Sequence, residues 1–283
     1  MHAYLSSLAL ASLIAPTTAT NIVSSGVKTT VDKPRGKYEV WHDADVPACC
    51  SVVLLLTVGT AMSVQDYSML STKMIDASGG ATGVIFIDNN PRSIVKTSGT
   101  KLASIANAIV KDIASHLPAE NPRYFVGGHS AGGQAAVEAL AAKAFSFPVH
   151  GFIGMAPYEV DPTKMSLAGV PSMNWGFQHM TCGVTPAKAG RAAYTISEEG
   201  HRVFYDVDDK TWNHLTGGPH CIFTNSGCLG LCHPKKNLWM QEGVAQAVHN
   251  FTTVVATGAP FTGQMFAAPK SSVDVIMDST ADE

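Results

Sequence analysis

Short, almost wholly apolar segments separated by amphipathic ones are what most limits how this chain can fold. SVVLLLTV at 51–58, GVIFID at 83–88 and VHGFIGM at 149–155 lack regular polar alternation, so each reads as a strand covered on both faces. Between them Val64, Tyr67, Leu70, Met74 and Ile75 recur at helical spacing, and so do Leu102, Ile105, Ile109, Ile113 and Leu117. The alternation opens with a strand at 37–41 and continues through RYFVGG at 123–128 and a helix over 131–145. Strands at 173–177 and 201–207 and helices at 187–196 and 237–253 follow. Strand and helix in strict turn predict right-handed crossovers and a mostly parallel sheet with helices on both faces, the α/β class.

Charge narrows the function. Lys and Arg number 19 against 22 Asp and Glu, a net charge of −3, and no five like charges run together. That excludes the basic stripe on which nucleic-acid binding depends. No internal apolar stretch approaches the roughly eighteen residues of a membrane helix, so no transmembrane segment is expected.

Four regions are expected. Residues 1–20 contain an apolar run over 3–15 and then small residues, with Thr17 and Ala19 at the −3 and −1 positions, and read as a secretory signal peptide. Residues 21–36 set Lys28, Lys33 and Arg35 against Asp32 alone, the acid-poor composition of a transit-like segment or linker. ASLIAP at 11–16 also resembles the cleavage motif of the bipartite presequences of algae with secondary plastids. Secretion and plastid import therefore both stay open. One domain is expected over 37–258, with a C-terminal tail over 259–283.

Six cysteines, Cys49, Cys50, Cys182, Cys221, Cys228 and Cys232, behind a signal peptide favour disulfides, with fifteen pairings allowed. Three crowd the segment after His220, where a disulfide is expected to brace it. Cys221, Cys228 and Cys232 with His220 and His233 form an alternative zinc cluster. Their spacing lacks paired C-x-x-C units, so no metal and no cofactor is expected.

The chemistry centres on Gly128-His129-Ser130-Ala131-Gly132, a G-x-S-x-G that follows one predicted strand and opens one predicted helix. In that setting the serine sits on a tight turn with its hydroxyl above the sheet edge, and the glycines let neighbouring chain pass. A serine hydroxyl needs a base. His220, in GGPHCIF beyond HRVFYDV, is the best placed of eleven histidines, with His214, His233 and His249 as rivals. The acid that orients it is sought in the loop at 156–162, where Glu159 is preferred and Asp161 is its rival. Asp206, Asp208 and Asp209 are set aside as too close to the strand before His220. Amide donors for a developing oxyanion are expected at Ala131 and at Thr60, in the loop after LLLTV.

These motifs resemble the α/β-hydrolases, in the branch of chlorophyllases and cutinase-like polyester hydrolases, over about 52–249. TVGTA is similar to the cutinase oxyanion segment and VIFIDNN to the following strand. GHS-x-GG is similar to the chlorophyllase elbow, GFIGMAPYEVDP to the strand and loop bearing its acid, and GGPHCIF to the histidine loop. Two positions depart: Cys182 stands where cutinases place their acid, and Ala156 where chlorophyllases do. The resemblance implies a serine carboxylic-ester hydrolase acting through an acyl-enzyme on a hydrophobic or lipid-like ester, with chlorophyll phytyl-ester cleavage as its sharpest form. A lipase- or cutinase-like esterase and a catalytically decayed secreted binding protein are the alternatives. Oligomeric state is left open.

Overall fold

The computed structural model describes residues 25–29, 36–43, 46, 50–60, 62–88, 98–113, 119, 121–179, 189–210, 219–225 and 238–277. The proposed signal peptide and Cys49, Cys182, His214, Cys228, Cys232 and His233 lie outside that set.

Among the described residues nine strands form one sheet: β1 (Ser25–Thr29), β2 (Gly36–Trp41), β3 (Val52–Thr57), β4 (Thr82–Asp88), β5 (Arg123–His129), β6 (Val149–Met155), β7 (Ser172–Phe177), β8 (Arg202–Val207) and β9 (Val273–Met277). Their order is β1-β2-β4-β3-β5-β6-β7-β8-β9. The central strands β4 to β8 pair in parallel, while β1, β2 and β9 run antiparallel at the margins. Helices α1 (Ser68–Ala77), α2 (Gly99–Ile113), α3 (Ala131–Ala141), α4 (Ala189–Thr195) and α5 (Leu238–Thr257) connect and cover them.

The apolar strands show why the sheet must be covered twice. Along β3, Leu54 and Leu56 join one core with Met74 of α1 and Val244, Val248 and Phe251 of α5. Val53 and Leu55 point the other way, into a second core with Leu102, Ile105, Ile109 and Ile113 of α2 and Ala135 and Ala136 of α3. Truncating any of these leucines to alanine costs about 2–5 kcal/mol. No helix among the described residues is long and apolar enough to cross a membrane.

Several boundaries differ from the sequence expectation. Residues 21–36, expected as a transit-like segment or linker, contain β1, and the last helix, expected to end at 253, runs to Thr257. The helix expected from Val64 opens as a 3-10 turn, Val64–Tyr67, before α1 begins. The helix after Ser130 ends at Ala141, with Lys143 at φ 50° beyond it. Residues 259–283, expected as a tail, supply β9, which pairs Val273 with Val207 and Met277 with Val203. Five residues of alternating pattern at an edge carry too weak a signal to separate from loop.

Candidate active site

Ser130 sits in the turn between β5 and α3 at φ 53° and ψ −126°, a backbone region that costs a non-glycine residue about 1–3 kcal/mol. The surroundings hold it there. Its amide donates to the Met155 carbonyl at 3.0 Å, and its carbonyl accepts from the amides of Gln134 at 3.1 Å and Tyr158 at 3.0 Å. Two glycines allow the approach. A methyl on Gly132 would collide with the Val58 carbonyl oxygen, and one on Gly128 would stand 2.6 Å from that of Thr57. The strain is therefore set by the sheet and not by the serine hydroxyl.

The segment after β3 lies beside this turn. A methyl built on Gly59 would stand 3.4 Å from Ser130 Cβ and 3.0 Å from His129 Nδ1. The Gly59 amide donates to the Tyr67 hydroxyl at 2.9 Å, which leaves Thr60 as the next amide along. Across the elbow, Ala131 is the first residue of α3, and its N–H lies beyond the reach of any carbonyl within the helix. The loop that bears Thr60 and the helix start that bears Ala131 therefore flank the serine.

His220 lies in a second 3-10 turn, Pro219–Phe223, and is 1% exposed. Its ring centroid is 4.4 Å from that of His129, the residue before Ser130, so the structure brings the elbow and the expected base together. The turn is anchored from both sides. Gln241 Nε2 of α5 donates to the Ile222 and Thr224 carbonyls at 3.0 and 3.3 Å. Asn225 Nδ2 donates to the Gln65 carbonyl at 3.0 Å and to Ser68 Oγ at 2.7 Å.

Burial pushes the pKa of His220 down to about 4. His129 is held well below the ordinary histidine range, first by burial and then by the His220 ring, with the His220 backbone partly opposing. Both rings are neutral near pH 7, the state a proton acceptor requires.

The expected acids have other partners. Glu159 is exposed, at φ 40°. Its carboxylate meets the Tyr158 hydroxyl, and its backbone carbonyl accepts from Gln134 Nε2 at 3.0 Å. Asp161 closes a local turn, accepting from the Thr163 amide at 3.0 Å and hydroxyl at 2.7 Å and pairing with Lys164 at 2.7 Å. Lys164 and then Thr163 hold the Asp161 carboxyl down to about 2. Positive φ at Ala156 and Glu159 turns the loop after β6 away from a straight exit.

One carboxylate set aside by sequence reasoning is of a different kind. Asp209, two residues beyond β8, is wholly buried. Its Oδ1 accepts from the His179 amide at 2.7 Å, and its Oδ2 makes no hydrogen bond to a described residue. The His179 side of that bond belongs to the segment leaving β7, whose last residue Phe177 packs on Phe223 of the His220 turn, centroids 6.2 Å apart. No local pattern marks Asp209 in the sequence; the available signal was an acidic residue just past a strand buried from Val203 to Val207.

Cys50 and Cys221 are each disulfide-bonded, and no described cysteine is a free thiol. Among the described residues no group of His, Cys, Asp and Glu is arranged to hold a metal ion. Three members of the alternative zinc cluster, Cys228, Cys232 and His233, lie outside them.

No family model matches this sequence, and no curated protein resembles it closely enough to count as a relative. Solved structures do resemble the fold. A Lactobacillus plantarum protein assigned as a carboxylesterase superposes with a TM-score of 0.50 over 66% of this chain and 87% of its own, at 12% identity. A thermostable esterase from Pseudomonas putida superposes with a TM-score of 0.41 over 52% of this chain, at 19% identity, and the match spans only 48% of that esterase. Strand order, the serine elbow between β5 and α3 and the Lactobacillus likeness agree on one architecture: the chain has the α/β-hydrolase fold.

Proposed function

We propose that the chain is a serine carboxylic-ester hydrolase that works through an acyl-enzyme. The observation that carries this reading is Ser130 held at φ 53° between β5 and α3, beside a buried, neutral histidine. Ser130 Oγ attacks the ester carbonyl while His220 takes its proton. The oxyanion so formed accepts hydrogen bonds from the Ala131 and Thr60 amides. Collapse of the intermediate expels the alcohol, protonated by His220, and leaves the acyl group on Ser130. Water then attacks the acyl carbon, giving its proton to His220, and release of the acid restores Ser130.

The acid role is assigned by burial. An exposed Glu159 and a turn-bound Asp161 are poor orienters of a buried imidazole, since water screens the one and Lys164 compensates the other. Asp209 is buried, half-satisfied, and lies where the segments leaving β7 and β8 meet. We place the acid on Asp209, ahead of Glu159 and Asp161.

A hydrophobic ester, with the chlorophyll phytyl ester as its sharpest form, is the proposed substrate class. Support comes from the GHS-x-GG elbow and the presequence reading, which also carries the proposal of entry into the secretory route, with plastid import as its alternative. The test is hydrolysis of a panel holding p-nitrophenyl butyrate, a triacylglycerol, an aliphatic polyester and chlorophyll, run beside Ser130→Ala. Hydrolysis abolished by the substitution supports the reading. A panel with no hydrolysed member favours a decayed binding protein instead.

A further inference from the structure

We propose that the Tyr67 hydroxyl is the positioning group of the oxyanion loop: it joins the Gly59 amide to His129 Nδ1, so that the Thr60 amide and the Ser130 elbow are held as one unit. The proposal rests on the serine-hydrolase reading above and deepens it.

Tyr67 closes the 3-10 turn before α1 and is fully buried. Its ring stacks on Phe86 of β4, centroids 4.3 Å apart and 18° from parallel, so the ring's place does not depend on its hydroxyl. That hydroxyl accepts from the Gly59 amide at 2.9 Å and lies 2.7 Å from His129 Nδ1 and 2.9 Å from Met62 Sδ. A phenol has one proton to give. Burial keeps Tyr67 protonated and His129 neutral. An imidazole nitrogen is a far better acceptor than a thioether, so the proton goes to Nδ1. This hydrogen-bond network assigns the ring proton of His129 to Nε2. That nitrogen is buried without a hydrogen bond of normal geometry, although the His220 backbone is near enough to favour its protonated form.

Three active-site segments therefore converge on one buried hydroxyl: the loop after β3, the elbow after β5 and, through His129, the turn of the proposed base. With the Gly59 amide engaged by Tyr67, the adjacent Thr60 amide has its direction fixed by the same bond. Loss of the hydroxyl frees the loop to move relative to the elbow without touching any group that reacts.

The experiment compares Tyr67→Phe, which keeps the aromatic stack, with two changes at His129. His129→Asn places an amide oxygen where Nδ1 stood; His129→Leu removes the acceptor. Turnover and KM are read on p-nitrophenyl butyrate, and affinity is read for an alkyl trifluoromethyl ketone, which mimics the tetrahedral intermediate. Tyr67→Phe is expected to lower kcat about 10- to 100-fold, somewhat less than outright loss of an oxyanion donor. KM should change less than about twofold, and ketone affinity should fall in step with kcat. His129→Leu should match it, His129→Asn should stay within about threefold of wild type, and Tyr67→Phe with His129→Leu should fall no further than either alone.

A folded Tyr67→Phe with wild-type kcat and ketone affinity overturns the proposal, as does an additive double variant. If Tyr67→Phe does not fold, the His129 pair decides, and equal losses in both overturn it. Fluorophosphonate labelling separates the two levels. No label on wild-type Ser130 brings down the hydrolase reading and this proposal with it. A wild-type label that forms at an unchanged rate on Tyr67→Phe brings down the proposal alone.

Discussion

The turn after β5 and the loop after β6 leave neighbouring parallel strands at the same edge of the sheet, and both contain residues at positive φ. They use that geometry differently. Ser130 is pinned by backbone bonds to β6 and to Tyr158, with the end of β3 against its glycines, so its strain fixes a side chain inside the site. Glu159, at a similar φ, is exposed and bonded to the residue beside it. Strain imposed by close backbone packing specifies a position; strain at an exposed residue such as Glu159 only changes the direction of the chain.

The largest effect should fall on the pinned turn. Ser130→Ala should lower kcat at least about 1000-fold, the scale on which removal of a nucleophile leaves only binding and oxyanion contributions. Its melting temperature should stay near wild type, because the backbone contacts, and not the hydroxyl, shape the elbow. A steep fall in stability would show that the hydroxyl carries part of the turn.

The acids come next. Asp209→Asn should lower kcat about 100-fold or more if it orients His220, and should change the acidic limb of the rate profile. Loss of stability with turnover and profile unchanged would make Asp209 a structural tie between the segments leaving β7 and β8.

Acidity probes the buried histidines. His220 titrates at about 4 in the fold against 6.5 for an ordinary histidine, so the acidic limb of kcat/KM should lie well below pH 6.5. Between pH 6.5 and about 4 the unfolded chain binds a proton that the folded chain refuses. Stability therefore falls as pH falls through that window, and is fully kept above it. The lowered His129 adds to the same slope. Denaturant melts at pH 7 and pH 5 measure it directly, and equal stabilities would contradict the burial of both rings.

The smallest effects are expected in the loop after β6. Glu159→Gln and Asp161→Asn should each leave kcat within about threefold of wild type. A hundredfold loss in either would return the acid role to that loop.

What the sequence revealed follows the same division. Apolar periodicity located β3 to β8 and the helices between them, because burial on both faces leaves a dense local signature. The elbow was legible because G-x-S-x-G records backbone contacts as glycines, which the structure finds pressed against Thr57 and Val58. The neighbourhood of His220, whose ring lies beside that of His129, follows from its order after HRVFYDV; its role as base is the proposal made above. The engagement of Glu159 and Asp161 by local partners was not, since the direction of a carboxylate depends on loop geometry that short-range pattern does not encode. The burial of Asp209 was not legible, because its place in the sequence says nothing of how the segments leaving β7 and β8 meet. In the sequence Tyr67 reads only as one apolar position on a helix; its hydroxyl meets Gly59, eight residues before it, and His129, 62 residues after it.

Reaction with a fluorophosphonate followed by peptide mass spectrometry tests the serine mechanism most directly. One adduct per chain is expected, on Ser130, formed faster above the His220 titration than below it and missing from Ser130→Ala. A folded protein that takes no adduct, or takes it on another residue while Ser130 stays free, would contradict it.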